Sequence, residues 1–130
     1  MSNDKIRLLW IDTEFTNLDD TGRLVEIAAV VTDGNLKELD AFESVVMKLD
    51  DDGFGTLSDW CLETFAKNGL LGKIRGSKVS VKEVELCLLD WLWTFRHTDK
   101  FYLAGNSVYN DMNVLKREMP KLVEKLHYRL

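Results

Sequence analysis

The apolar run Leu8-Leu9-Trp10-Ile11 stops at Asp12-Thr13-Glu14, two carboxylates separated by a single residue. Residues i and i+2 of a β-strand point to the same face, so an extended conformation projects Asp12 and Glu14 side by side from the end of a buried strand. Two adjacent carboxylates repel, and partial burial adds desolvation to that cost. A hard divalent cation held by oxygen ligands offsets both, which points to metal-assisted phosphoryl chemistry. Taken alone, the pair is equally well read as Asp12 capping a turn and Glu14 opening a solvated loop, so the rest of the chain has to decide.

The sequence has 130 residues, 45% apolar and 30% charged, which is the composition of one ordinary globular domain. Its first five residues, Met1-Ser2-Asn3-Asp4-Lys5, lack the basic start and apolar core of a signal peptide. No uninterrupted apolar stretch approaches the roughly 20 residues a bilayer requires, so the expectation is a cytoplasmic protein without membrane contact. Cys61 and Cys87 lack the paired spacing of a zinc site and read as small hydrophobes on different helices. A net charge of −5 argues against gripping long nucleic acid through a basic surface. A polyanionic substrate is then short, or held by metal and a few local donors.

Periodicity predicts strands over residues 8–14, 24–32 and 36–47, with Asp33-Gly34-Asn35 as the hairpin turn between the last two. Ser58 precedes a helix to about residue 68, and Gly69, Gly72 and Gly76 mark an irregular connection. Ser80 with Glu83 forms a capping box, and Val84, Leu88, Trp91, Leu92 and Phe95 recur on one helical face. Trp91 and Trp93 read as packing residues. A fourth strand over residues 101–104 leads through Gly105-Asn106-Ser107 into a helix over 108–118 that carries Asp111 and is interrupted by Pro120.

Three strands, a crossover helix and a further strand predict a mixed α/β sheet, since a strand returning parallel to the first needs such a crossover. If the fourth strand lies parallel to and beside the first, the turn after it opens at the same end of the sheet. Asp111 then meets Asp12 and Glu14; otherwise it is a solvated first-turn residue favoured by the helix dipole.

The dispersed segments resemble one family. They are residues 9–18 (LWIDTEFTNL), Val25-Glu26-Ile27-Ala28, Val31-Thr32-Asp33, Asp59-Trp60, Asn68-Gly69-Leu70, Gly105-Asn106-Ser107 with Asp111, Met119-Pro120 and His127-Tyr128-Arg129. Together, in this order, they resemble the oligoribonucleases, members of the DEDD exonuclease superfamily with an RNase H-like fold. The resemblance covers the whole chain and the front part of the family's domain. It implies a 3′–5′ exoribonuclease that degrades very short RNA with two divalent ions, Mg2+ or Mn2+. It also implies that Asp12, Glu14 and Asp111 are the catalytic and metal-binding acids, with Asp12 shared between the ions. Leu18 matches an apolar wedge against the terminal bases, Trp60 an aromatic in the substrate pocket, and Ser107 and Arg129 donors around the 5′ phosphate. Tyr128 matches a residue that reaches the neighbouring subunit's site in a homodimer. Without the resemblance, Tyr128 packs locally and Arg129 is solvated. His127 is either a phosphate neighbour or a polar surface residue, and neither reading makes it the general base.

The departures carry expectations too. The family completes its site with a later helix bearing a His and a final Asp, both beyond Leu130. His97, in a loop without a supporting motif, does not replace the base, and Phe65 stands where the family commonly has a His in the phosphate pocket. The family's next strand begins near Leu130, so the fourth strand's apolar edge is expected to lie open to association. The chain is expected to be a fragment, a form covered by a partner, or a shortened form, truncated relative to the family. It is expected to bind metal weakly and to have little activity, since loss of a general base commonly costs about 10²–10⁴ in rate. The alternatives are a phosphatase with Asp12 as nucleophile, whose motif has Asp where this chain has Glu14, a non-catalytic RNA-end-binding or dimerisation module, and a related DEDD exonuclease acting on DNA or tRNA ends.

Overall fold

The structure, a computed structural model, describes residues 6–95, 98, 100–105 and 108–127. The strands are β1 (Arg7–Phe15), β2 (Leu24–Asp33), β3 (Glu38–Val46), β4 (Phe101–Ala104) and β5 (Leu126–His127). The helices are α1 (Asp51–Phe54), α2 (Asp59–Lys67), α3 (Leu70–Gly76), α4 (Val81–Trp93), α5 (Val108–Glu118) and α6 (Pro120–Val123). The sheet order is β3-β2-β1-β4-β5. β1, β2 and β3 form an antiparallel meander, and β4 returns parallel to β1 from Leu8↔Tyr102 to Trp10↔Ala104. This is the mixed α/β sheet that the crossover argument predicts.

Alternation along β1 separates two faces. Leu9 and Ile11 enter the main core with Leu24, Ile27, Ala29 and Val31 of β2, and α4, α5 and α6 cover that face through Leu88, Leu92, Leu115 and Leu122. A second cluster at the end of the sheet packs Phe65 of α2 and Leu70, Leu71 and Ile74 of α3 around Val25. Ser58 caps α2 by accepting from the Cys61 N–H, and the Ser80–Glu83 capping box starts α4 as the pattern predicts.

Four departures have physical causes. The glycine-rich connection contains α3, because burial of Leu70, Leu71 and Ile74 at helical spacing outweighs the glycine penalty. β3 starts at Glu38 rather than at 36 because Leu36 takes a φ of 69° and closes the turn with its N–H on the Asp33 carbonyl. Trp93 is 80% exposed, since it lies on the side of α4 opposite Leu88 and Leu92; Trp91 does pack, between Phe42 and Phe95. The open edge expected along β4 is covered at Phe101 and Tyr102, where β5 pairs in parallel.

Glu85 is only 4% exposed on the inner side of α4. Its Oε2 accepts from the backbone N–H groups of Lys121 at 2.9 Å and Leu122 at 3.2 Å. α6 opens with Pro120 and has no side-chain cap of its own at Met119, so a carboxylate from another helix satisfies its first amides. Glu85→Ala should destabilise the chain by about 2 kcal/mol in urea denaturation, the cost of leaving buried donors unpaired, while Glu85→Gln, which keeps an acceptor, should cost less.

Candidate nuclease site

β4 pairs with β1 only as far as Trp10↔Ala104, so the last part of β1, from Ile11 on, has no strand on that side among the described residues. The chain leaves β4 through Gly105, whose φ of +125° is a region that L side chains rarely adopt, and enters α5 along this open edge. Asp12 and Glu14 project from one face and are exposed, while Thr13 points to the other face, towards the helices. Asp111 approaches the edge from the Thr13 side and is 7% exposed. The Thr13 hydroxyl donates to Asp111 Oδ1 at 2.6 Å.

The charge of Asp12 bears on both of the other acids. Asp111 is held above the ordinary carboxyl range by burial and by the negative charge of Asp12, with the Thr13 hydrogen bond opposing the rise. Glu14 is also raised, first by burial, then by Asp12 and by Glu26. Glu26 is the residue opposite Glu14 in the ladder, and its Oε2 accepts from the Ser44 hydroxyl at 2.8 Å. Neither Glu26 nor Thr13 was singled out from the sequence. The hairpin register would have found Glu26, whereas nothing local marks Thr13.

Asp12 is therefore the charge common to both neighbours, and the all-oxygen donors suit a hard divalent cation. Among the described residues, no three His, Cys, Asp or Glu side chains are gathered closely enough to hold a metal ion. Asp12 lies within electrostatic range of both Glu14 and Asp111.

Beside Glu14 lies a cavity of about 370 Å³ lined by Phe15, Asn17, Leu18, Ser58, Trp60 and Cys61. Leu18 is 77% and Trp60 70% exposed, so two large apolar side chains face solvent at its rim. Thr16 ties the two walls together: its hydroxyl shares a 2.6 Å hydrogen bond with the Thr56 hydroxyl, and its carbonyl accepts from the Ser58 N–H at 3.0 Å. Phe65 does not face this cavity; it is 1% exposed within the cluster around Val25. His127 is exposed and stacks on Tyr102 with ring centroids 5.1 Å apart, away from the acids' strand end. Ser107, Tyr128, Arg129 and His97 lie outside the described residues.

Comparison with solved structures defines the class first. The chain shares its fold with E. coli exonuclease I in complex with a dT13 oligonucleotide (TM-score 0.58, 16% identity, 90% of this chain and 24% of that one). It matches likewise the nuclease domain of 3′hExo, a DEDDh family member, bound to rAMP (TM-score 0.58, 15% identity, 95% of this chain and 62% of that one). The domain thus has the RNase H-like α/β fold that these nucleases share. The sequence pattern of the RNase_T family, described as Exonuclease, matches residues 9–130, and the chain belongs to that family. It is 43% identical over 133 residues to a probable oligoribonuclease of Schizosaccharomyces pombe, spanning all of this chain and 52% of that protein. It is 38% identical over 130 residues to an oligoribonuclease of Haemophilus influenzae, spanning 99% of this chain and 71% of that protein.

Raised carboxyl pKa values fix the sign of a pH effect. The folded chain holds the Asp111 and Glu14 protons more tightly than the unfolded chain, whose values are about 3.9 and 4.3. Their contribution to stability is fully present below those values and is lost as pH rises through the higher folded ones. Asp111→Asn, which keeps an acceptor for Thr13, should therefore stabilise the chain at pH 7 in chelator. The gain should disappear below about pH 4 in urea titrations run across pH.

Proposed function

We propose that this chain carries the acidic part of a 3′–5′ exoribonuclease site of the oligoribonuclease type, acting on very short RNA. The observation that carries the reading is the placement of Glu14, Leu18 and Trp60 around one cavity, with Asp12 and Asp111 at the adjoining edge of β1. Family membership supports it, as does the net charge of −5, which disfavours long polyanions held by a basic surface.

By the resemblance, Asp12, Glu14 and Asp111 are the acids that would hold divalent ions, Mg2+ or Mn2+, which requires them to draw closer together than they stand in this structure. Bound there, such ions would supply activation of the attacking water and charge stabilisation of the leaving oxygen. Thr13 holds Asp111 against the strand, so the acid is oriented before substrate arrives. Leu18 and Trp60 offer apolar surface to the terminal bases; stacking on an aromatic is worth about 1–3 kcal/mol per base and tolerates any sequence. Ser107 and Arg129 would meet the 5′ phosphate, and Tyr128 would act across a homodimer interface. Because the resemblance assigns the general base to a later segment, the 130 residues by themselves are proposed to hydrolyse weakly.

Mn2+ should raise the melting temperature of the 130-residue chain, and Asp12→Asn should abolish the rise. Residual hydrolysis of a 5′-phosphorylated trinucleotide should fall by about 10²-fold or more in Asp12→Asn, the scale of losing electrostatic stabilisation at a reacting phosphate. Trp60→Ala should weaken trinucleotide binding by about tenfold. Tight RNA binding that ignores divalent ions would instead identify an RNA-end-binding module.

A further inference from the structure

Leu18, 77% exposed, sits on a loop of residues 17–22 between β1 and β2. The loop is closed at its base by the Thr16 N–H on the Arg23 carbonyl at 2.9 Å and the Arg23 N–H on the Thr16 hydroxyl at 2.9 Å. Its own bonds are short-range: Gly22 N–H to the Asp19 carbonyl at 3.1 Å, and Thr21 N–H to Asp19 Oδ1 at 2.8 Å. Leu18 belongs to neither buried cluster. Gly22 leaves the loop one compact shape, since a Cβ there would lie 2.1 Å from the Asn17 carbonyl oxygen.

Two braces reach the loop from the body of the protein: Asn17 Nδ2 donates to the Thr56 carbonyl at 3.4 Å beside its base, and Arg117 of α5 holds its far side. Arg117 Nη2 donates to the Gly22 carbonyl at 2.8 Å and reaches the Asp19 carbonyl at 3.5 Å, while Nη1 donates to the Asn113 carbonyl of its own helix at 3.3 Å. A planar guanidinium spans several carbonyls at once, which a lysine ammonium does not reproduce. Arg117 lies six residues after Asp111, about 9 Å along the helix axis at about 1.5 Å per residue. One rigid helix therefore fixes an acid of the candidate site near one end and the Leu18 loop near the other.

We infer that Arg117 is a positioning residue, which sets where Leu18 stands relative to the acids and so how a short RNA end is held. The inference rests on the proposed reading of Leu18 as a base contact. Two measurements on the 130-residue chain separate the two ideas. The first needs no ligand: in Arg117→Gln, amide exchange at Thr21 and Gly22 should quicken by roughly tenfold while residues 112–116 of α5 keep their protection. Unchanged exchange in the loop would overturn the inference.

The second is calorimetric binding of an unlabelled 5′-phosphorylated tetraribonucleotide in calcium buffer. Arg117→Gln should weaken binding by about three- to tenfold, and Arg117→Lys should recover only part of it. In a Leu18→Ala background the Arg117→Gln penalty should shrink below about twofold, because neighbours that act through one contact are not additive. A penalty of full size in that background would mean that the guanidinium meets RNA directly, and would overturn positioning. If Leu18→Ala leaves binding unchanged, or the unaltered chain does not bind the tetraribonucleotide, the substrate reading fails. The exchange measurement still judges Arg117 in that case.

Discussion

The early end of the parallel β1–β4 ladder governs the arrangement of this domain. Because pairing stops at Trp10↔Ala104, β1 runs on for five residues with one side unpaired, and the backbone after β4 turns at Gly105 and places α5 along the exposed margin. Had β4 continued, its own residues would occupy the space that Asp111 takes beside Thr13. The short strand is thus what lets acids separated by about a hundred residues in sequence share one neighbourhood.

The same margin explains the electrostatics. Asp12 leaves the strand on the solvent side and Asp111 arrives on the helix side, yet the charge of Asp12 reaches Asp111 at an edge where no strand intervenes among the described residues. Repulsion felt across it, added to burial, disfavours full ionisation of Asp111 and Glu14. Arg23, a half-buried cation at the same end of the sheet, is instead committed to Glu118 at 2.9 Å.

Much of this was legible in the sequence, and the remainder fails for identifiable reasons. Alternation gave the strands and put Asp12 and Glu14 on one face, and the Ser80–Glu83 box located α4. Trp93 misleads because apolar character and burial part company on a helix whose inner stripe is already filled by Val84, Leu88, Trp91 and Leu92. α3 was hidden by its glycines, whose local preference yields to the burial of three aliphatic residues. At the candidate site, the side-by-side acids follow from strand period, whereas the contact between Thr13 and Asp111 depends on how far β4 extends. The roles of Glu85 and Arg117 were illegible because their partners lie 36 and 95 positions away.

The bridge from Glu85 to the first amides of α6 makes the seating of that short helix answerable to a carboxylate on α4. β5 follows α6 in the chain and pairs with two residues of β4. A change that frees those amides would therefore reach the strand that screens the β4 margin, and with it a ready template for another chain's strand.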